Sequence, residues 1–405
     1  TAGFISGYRG SPLGGFDQQL WQVRKFLDEH HVRFQPGVNE DLAATALWGT
    51  QQTGLFGDAK YDGVFGIWYG KGPGVDRSGD AFKHANLAGS ARHGGILAIA
   101  GDDHTCKSST TAHQSEFAFV DAMIPVLVPA GVQEFLDFGI HGWALSRYAG
   151  VWAALKAIAE TVDSSATVFA DIDRVQVVTP TDFDMPADGL NIRWPDPWLA
   201  QEERLHRLKI PAVLAYARAN RLDHVVLGGP RRRLGIVTVG KSYLDVRQAL
   251  DDMGLDDRTA VAIGLAVYKV GLAWPIEPEG LRAFAEGLDE ILVVEEKRGL
   301  IEPQLKEILY HLPADRRPRI SGKRDLEGAP QLQSHGELGP SDVARVLAAK
   351  LRPLHKSERI DRLLALIEAG RRSNAAGTPS LVRTPYFCSG CPHNTSTRVP
   401  EGSRA

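Results

Sequence analysis

Three cysteines in 405 residues are too few, and too unevenly spaced, to staple a fold with disulfides. A reducing compartment, the cytoplasm by default, is therefore the expectation. No apolar run reaches the roughly 18 residues that a membrane-spanning helix needs, and the N-terminal stretch lacks the charged-then-apolar pattern of a targeting signal. Neither sign of charge dominates: 46 basic residues face 49 acidic ones, a net charge of -3. That balance argues against nucleic acid as a partner, and Arg231-Arg232-Arg233 is short enough to be a solvated loop. What remains, 23% charged and 43% hydrophobic residues, is the composition of an ordinary globular chain. Its length suits two or three domains with real cores.

The stretch Gly37-Val38-Asn39-Glu40-Asp41, running into a small-residue helix, carries the sharpest chemical signal. Asn39 can cap that helix, and Glu40 and Asp41 fall in its first turn, where the positive end of the helix dipole favours anions. Ala44, Thr45, Ala46 and Gly49 are slim enough for a backbone or a flat cofactor to lie close. A carboxylate at such a helix mouth suits proton relay to a bound heterocycle. The plainer alternative is a solvated capping group.

The region to about residue 185 alternates strand-like and helix-like segments, which argues for an open parallel sheet with helices on both faces. Strands are expected at Phe4-Ile5-Ser6, Gly63–Tyr69, Gly95–Gly101 and Met123–Pro129, with a closing pair or edge over Val168–Val178. Helices are expected at Phe16–His30, His84–Ser90 and, from apolar residues at helical spacing, Phe138–Thr161. Gly70-Lys71-Gly72-Pro73-Gly74 reads as a backbone-rich loop. Ligands in open α/β sheets lie beyond the carboxyl ends of the strands, which is where Tyr8 to Ser11 fall. Asp102-Asp103-His104 with Cys106 has metal-competent side chains but irregular spacing, and is set aside as a metal site.

In order, the segments Gly7-Tyr8-Arg9-Gly10-Ser11-Pro12, Asn39-Glu40, Tyr69-Gly70-Lys71-Gly72 and Gly101-Asp102-Asp103 through Ser108-Ser109 resemble the pyrimidine-binding domain of thiamine-diphosphate-dependent 2-oxoacid:ferredoxin oxidoreductases. The long indolepyruvate ferredoxin oxidoreductase type is the nearest match, from Thr1 to His393. The resemblance implies that Glu40 contacts the aminopyrimidine of the cofactor. It implies that Tyr8, Gly10, Gly70, Ser108 and Ser109 line the cofactor, and that Ser11 faces substrate. Arg9 stands where the family has proline, and Ser11 where it has threonine. Gly101-Asp102-Asp103 lacks the downstream asparagine of the family's metal-diphosphate motif, so Mg²⁺ and the diphosphate are expected on a domain outside this chain.

Residues 186–229, rich in proline, read as a surface-wrapping linker. A second α/β unit over 230–352 is expected from Leu234–Gly240, the helix Lys241–Gly254, and strands at Val261–Gly264 and Ile291–Glu296. It resembles the C-terminal domain of transketolase-like enzymes. Glu295 and Glu296, at a strand end, read as structural carboxylates paired to Lys297 or Arg298. Residues 353–405 are a charged helix, Leu354 to Ala376, a linker, and the segment Cys388-Ser389-Gly390-Cys391-Pro392-His393. As residues, the Cys-x-x-Cys pair is open to three readings: half a zinc site, a redox pair, or part of an iron-sulfur ligand set. The resemblance implies the third, with Cys388 and Cys391 on a [4Fe-4S] cluster whose other ligands lie outside this chain, and with His393 near the active site. The chain opens on Thr1 and stops soon after this turn, so a fragment of a longer polypeptide, without activity by itself, is expected.

The implied reaction is oxidative decarboxylation of an aryl 2-oxo acid such as indolepyruvate to the acyl-CoA, with electrons passing to ferredoxin. A homodimer, or assembly with further domains of the same polypeptide, goes with it. Two rival readings stand beside it: a non-catalytic, dimer-interface portion of a multidomain assembly, and a cluster-free thiamine enzyme of the decarboxylase or transketolase type.

Overall fold

The computed structural model describes residues 1–109, 111–375, 387 and 389–403, in two compact units, Thr1–Ile360 and Asp361–Ala405. The first unit holds two sheets. Strands β1 (Ala2–Gly7), β2 (Val32–Phe34), β3 (Val64–Lys71), β4 (Ile96–Asp102), β5 (Val126–Leu127) and β6 (Ala153–Ile158) join β10 (Leu272–Trp274) in the order β10-β5-β6-β4-β3-β1-β2. The second sheet orders β12 (Arg319–Ser321), β11 (Glu290–Val294), β8 (Leu234–Val239), β9 (Leu265–Val270) and β7 (His224–Leu227). Pairing is parallel except at one edge of each sheet, β10 on β5 and β7 on β9. Two α/β sheets with helices between their strands are what the alternating pattern implies, and the expected fold class holds.

Strand β3 shows how both faces of the first sheet are covered. Its side chains alternate with the two-residue period of a strand. Ile67 and Tyr69 join Ile5, Leu13, Leu20 and Phe34 in one core, while Trp68 points the other way into a core with Leu47, Phe82, Phe119 and Trp152. The Trp68 and Phe82 rings meet edge to face at 4.9 Å. On the Trp68 face the strand also carries glycines. A Cβ on Gly66 would lie 2.5 Å from Leu47 Cδ2, and one on Gly70 would lie 3.1 Å from Glu40 Cγ. The helix Glu40–Gln51 therefore sits closer to the sheet than side chains at those positions would allow. Gln51, fully buried, ties its far end: Nε2 donates to the Val64 carbonyl, and Oε1 accepts from the Ala91 and Gly95 N–H groups.

Several sequence expectations change here, each for a local reason. The expected helix Phe16–His30 is two, Gly14–Gln22 and Arg24–Glu29, broken at Val23. The apolar run from Phe138 to Thr161 is a helix only to Ala149. Gly150, at φ 65, ends it, and the chain turns into β6, every residue of which is buried. A run apolar on all sides satisfies either period. Val168–Val178 is not a strand: its backbone groups go to side-chain amides instead. Gln133 exchanges both bonds with Phe169, and Asn220 does so with Val178. Val261–Gly264 closes the helix Asp257–Ala262, capped by Asp256, and the strand starts at Leu265. Gly70–Gly74 is no free loop: β3 runs through Lys71, and a helix spans Gly72–Arg77. The charged helix spans Glu358–Ala375.

Between residues 198 and 219 the chain is helical throughout, with a π-helical turn at Leu205–Lys209. Ala212, Val213, Tyr216 and Ala217 from this helix are buried against Phe138, Leu145 and Leu272. The π turn carries Lys209 into the interior, where its Nζ lies 3.5 Å from the Leu87 carbonyl. Burial, helped by Arg204, pushes this ammonium down from 10.5 to about 7. Because the folded value is the lower one, the unfolded chain binds more protons between pH 7 and 10.5, and stability should rise with pH across that window. The slope should not exceed about 1.4 kcal/mol per pH unit. Lys209→Met should flatten the rise and increase stability at pH 6. Urea unfolding at pH 6, 8 and 10 measures it, and a pH-independent difference between the two proteins would mean that the amine stays charged in the fold.

Candidate active site

The carboxyl ends of β1, β2, β3 and β4 open on the same edge of the first sheet. The helix after β2 begins there, capped by Asn39, whose side chain accepts from Leu42 N at 2.8 Å as its sequence suggests. Glu40 is the first helical residue and is half-buried. Its backbone carbonyl accepts from the buried Trp68 indole at 2.9 Å, which locks the helix mouth to β3. Its carboxylate rests on glycine. A Cβ on Gly74 would fall 2.7 Å from both Cδ and Oε1 of Glu40. Gly70 and Gly74 therefore form a cradle that only hydrogen side chains permit. The slim residues expected to face a cofactor, Thr45, Ala46 and Gly49, are instead exposed, and the buried face is Ala43, Ala44, Leu47 and Gln51.

The turn after β1 lies beside this cradle. Tyr8 and Ser11 are exposed, and the Ser11-Pro12 peptide is cis. Gly10 is covered by the stem of Lys71, whose Nζ reaches the Ser108 carbonyl at 2.9 Å. Lys71 thus bridges the Tyr8–Ser11 turn and the loop after β4. Arg9, which departs from the family pattern, has a partner: its guanidinium binds buried Asp17, which also accepts from the Tyr69 hydroxyl at 2.7 Å. Burial and the Asp17 carboxylate raise the Tyr69 phenol above its ordinary value.

The acidic pair after β4 is used internally. Asp103 accepts from the Lys107 and Ser108 N–H groups and from the Ser108 hydroxyl. Burial pushes its pKa up, but these bonds outweigh it and hold the carboxyl below its ordinary value. The Ser108 hydroxyl is therefore turned to Asp103, while its neighbour Ser109 is half-buried. Asp102 accepts from the Ser115 N–H and hydroxyl. Among the described residues no group of three or more His, Cys, Asp or Glu side chains could hold a metal ion.

Sequence reasoning missed the charged joint between the two sheets. Lys156, on β6, is buried between Glu116 at 2.6 Å and Asp102 at 3.6 Å. Burial drives its ammonium down, but the two carboxylates outweigh that and keep it charged. Across the joint, Glu296 pairs with His104 Nδ1 at 2.9 Å and Lys241 at 3.4 Å, and Lys241 also binds Asp245. Glu295 instead accepts from the Leu300, Ile301 and Glu302 N–H groups, capping the helix Ile301–Tyr310. The two glutamates are structural, as expected, but their partners are not Lys297 or Arg298. A cavity of about 30 Å³ lies at the joint, lined by His104, Glu116, Lys156 and Glu296 among others. No local sequence signal announces these pairs, which join positions 40 and 192 residues apart.

In the second unit, Cys391 Sγ lies 3.4 Å from His393 Nδ1, and the His393 ring stacks on Phe387 at 5.1 Å. His393 opens a short helix, His393–Ser396. Cys388 lies outside the described residues. Of the residues singled out from sequence, Tyr8, Gly10, Ser11, Gly70, Ser108 and Ser109 fall in the first unit on strand ends or the loops that follow them, and Glu40 opens the helix after β2.

Two mostly parallel α/β sheets with helices between their strands are an architecture also found among solved 2-oxoacid:ferredoxin oxidoreductases. A 2-oxoglutarate:ferredoxin oxidoreductase from Magnetococcus marinus superposes with a TM-score of 0.58 over 86% of this chain and 62% of its own, at 13% identity. Residues 224–374 match the family model of the indolepyruvate oxidoreductase domain. Indolepyruvate oxidoreductase subunit IorA of Methanothermobacter thermautotrophicus is 24% identical over 96% of this chain and 56% of its own length. The Thermococcus kodakarensis subunit is 22% identical over 97% and 55%. The chain therefore spans about half the length of the curated relatives it matches.

Removing the lysine at the joint should leave two buried carboxylates without a counter-charge. Lys156→Met is expected to cost about 3–5 kcal/mol, the range for breaking a buried pair by deleting one partner. Urea unfolding at pH 7 measures the loss. A change below about 1 kcal/mol would mean that Glu116 and Asp102 find protons or other partners.

Proposed function

We propose that this chain supplies the aminopyrimidine-binding part of a thiamine-diphosphate-dependent oxidoreductase, one that decarboxylates an aryl 2-oxo acid such as indolepyruvate. Coenzyme A would accept the acyl group and ferredoxin the electrons, in the cytoplasm. The observation that carries the reading is Glu40, held half-buried at a helix mouth on Gly70 and Gly74. The fit is chemical as well as spatial: the two glycines make room for the Glu40 carboxylate itself, at the carboxyl ends of the strands, where open α/β sheets meet their ligands. Thiamine diphosphate, when bound, supplies the electron sink that lets a 2-oxo acid lose carbon dioxide.

Glu40 would hold a proton at ring nitrogen N1′, with the Trp68 bond to its carbonyl and the Asn39 cap fixing the backbone from which it reaches. Tyr8, Gly10, Ser108 and Ser109 would line the surroundings of the ring, with Lys71 bracing the two loops that carry them. Ser11, exposed at the end of the β1 turn, would meet the substrate. His393 would stand near the reacting carbon. Cys388 and Cys391 would help hold a [4Fe-4S] cluster whose other ligands, like those of the diphosphate's Mg²⁺, come from outside this chain. Assembly with further domains, or a second copy, would then be needed for turnover.

Glu40→Gln tests the reading in the complete protein. Turnover of indolepyruvate with thiamine diphosphate should fall roughly 10²–10⁴-fold, the range for a lost general acid-base group. The melting temperature should not move, because the Asn39 cap and the Trp68 bond use backbone and neighbours rather than the Glu40 side chain. Gly74→Ala should cripple turnover as well, by displacing the carboxylate. Unchanged turnover in Glu40→Gln overturns the assignment.

A further inference from the structure

On the far side of the loop after β4 lies a second pocket, of about 540 Å³, lined by residues 104–106 and 112–114, by Lys297 and Arg298 after β11, and by residues 334–336. Small-molecule sites commonly occupy roughly 300–1,000 Å³. Its lining holds Lys297, Arg298, His104, His113, His335 and the Cys106 thiol and no carboxylate, although His113 meets Asp76 at 3.2 Å and His104 meets Glu296 at 2.9 Å, so the positive excess is that of Lys297 and Arg298. In a chain of net charge -3 that excess is local rather than inherited.

Lys297 is 7% exposed, and its Nζ donates to the His104 carbonyl. Neither Lys297 nor Arg298 makes an ion pair among the described residues. The nearby carboxylates are engaged elsewhere, Glu296 by His104 and Lys241, and Glu337 by Lys241. Arg298 is exposed, with its guanidinium carbon over the Phe117 ring, 3.9 Å from the centroid. Its backbone is clamped by Gln114, which donates to the Arg298 carbonyl at 2.9 Å and accepts from its N–H at 3.1 Å. The guanidinium fork is thus held in place with its donors unspent, a geometry suited to a planar or tetrahedral oxyanion.

Backbone conformation points to the same place. Cys106 and Lys297, both lining this pocket, sit at φ 56, in the left-handed region. Such conformations are costly for residues other than glycine and persist where the surroundings impose them, often at ligand sites. A cation buried against one carbonyl gains most from an arriving anion, because its desolvation cost is already met in the fold.

We propose that this pocket binds an anionic group, a phosphate or a carboxylate, on Arg298 and Lys297, with His113 and His335 at its walls. The inference does not rest on the assignment of Glu40, and binding rather than turnover tests it.

Inorganic pyrophosphate and, separately, pyruvate are titrated calorimetrically into the wild-type protein at low salt. At least one should bind, and Arg298→Met should weaken it tenfold or more, with Arg298→Glu abolishing it. Arg316→Met, on a different surface, should bind as wild type does. Binding of pyrophosphate alone identifies a phosphate site, and binding of pyruvate alone a carboxylate site; either supports the proposal. Circular dichroism checks that each variant is folded, and Lys297→Gln gives the same reading should the Arg298 variants misfold. Failure of both probes to bind wild type, or unchanged affinity in folded Arg298→Met, overturns it.

Discussion

The contact on which the first sheet's edge depends is the close approach of the helix Glu40–Gln51 to β3. Gly66 and Gly70 strip that face of side chains at two alternate positions, and Trp68 between them turns the gap into a bond by donating to the Glu40 carbonyl. A helix so seated has little freedom to slide, since Leu47 fills the space over Gly66 and Gln51 pins the other end to Val64. The carboxylate at its mouth is positioned by packing two and three turns away. The supporting shell is backbone and core, which is the rigidity that the proton-handling role proposed for Glu40 would require.

Part of this was legible in the residues themselves. Asn39 followed by Glu40 and Asp41 is a helix start by the chemistry of caps, and the structure has that cap. The glycines of Gly70-Lys71-Gly72-Pro73-Gly74 signalled close approach, but not what approaches. A glycine in sequence says that space is needed, and only the fold says that Glu40 takes it. The failures were of a different kind. Val168–Val178 has strand-forming residues, yet the amides of Gln133 and Asn220, 36 and 42 residues distant, satisfy backbone groups that a neighbouring strand would otherwise bond. The slim residues of the helix after Glu40 divide between its faces, Ala44 buried and Thr45, Ala46 and Gly49 exposed, because alanine and glycine suit an exposed helix surface as well as a buried one.

The joint between the sheets was wholly hidden, and for a reason that applies to any buried ion pair between distant segments. Lys156 lies in an alanine- and leucine-rich strand whose other residues read as core, and nothing local marks its partner. Only the topology brings β6 under the helix that bears Glu116 and over the strand end that bears Asp102. Such pairs are weak evidence for net stability, because desolvation offsets most of the attraction. What they add is a geometric condition on how the sheets meet. A sheet-to-sheet contact made of apolar residues alone could slip, whereas Glu296 between His104 and Lys241 is satisfied in one arrangement only.

The loop from Asp103 to Ser115 follows from these constraints. Its start is fixed by Asp103 bonding its own backbone, and its end by Asp102 receiving Ser115. Between them, one side meets the Glu40 edge, where the Lys71 amine reaches Ser108 and the His113 ring lies where a Cβ on Gly72 would stand. The other side meets Lys297 and Arg298 through His104 and Gln114. A ligand on either side must therefore work against a loop whose opposite side is already engaged. Because Gly72 opens the helix that carries Gly74, a shift of His113 has a short mechanical route to the glycine on which the Glu40 carboxylate rests. The Glu40 edge and the Arg298 pocket thus share one loop, held from one side by Lys71 and from the other by Lys297 and the Gln114–Arg298 bonds.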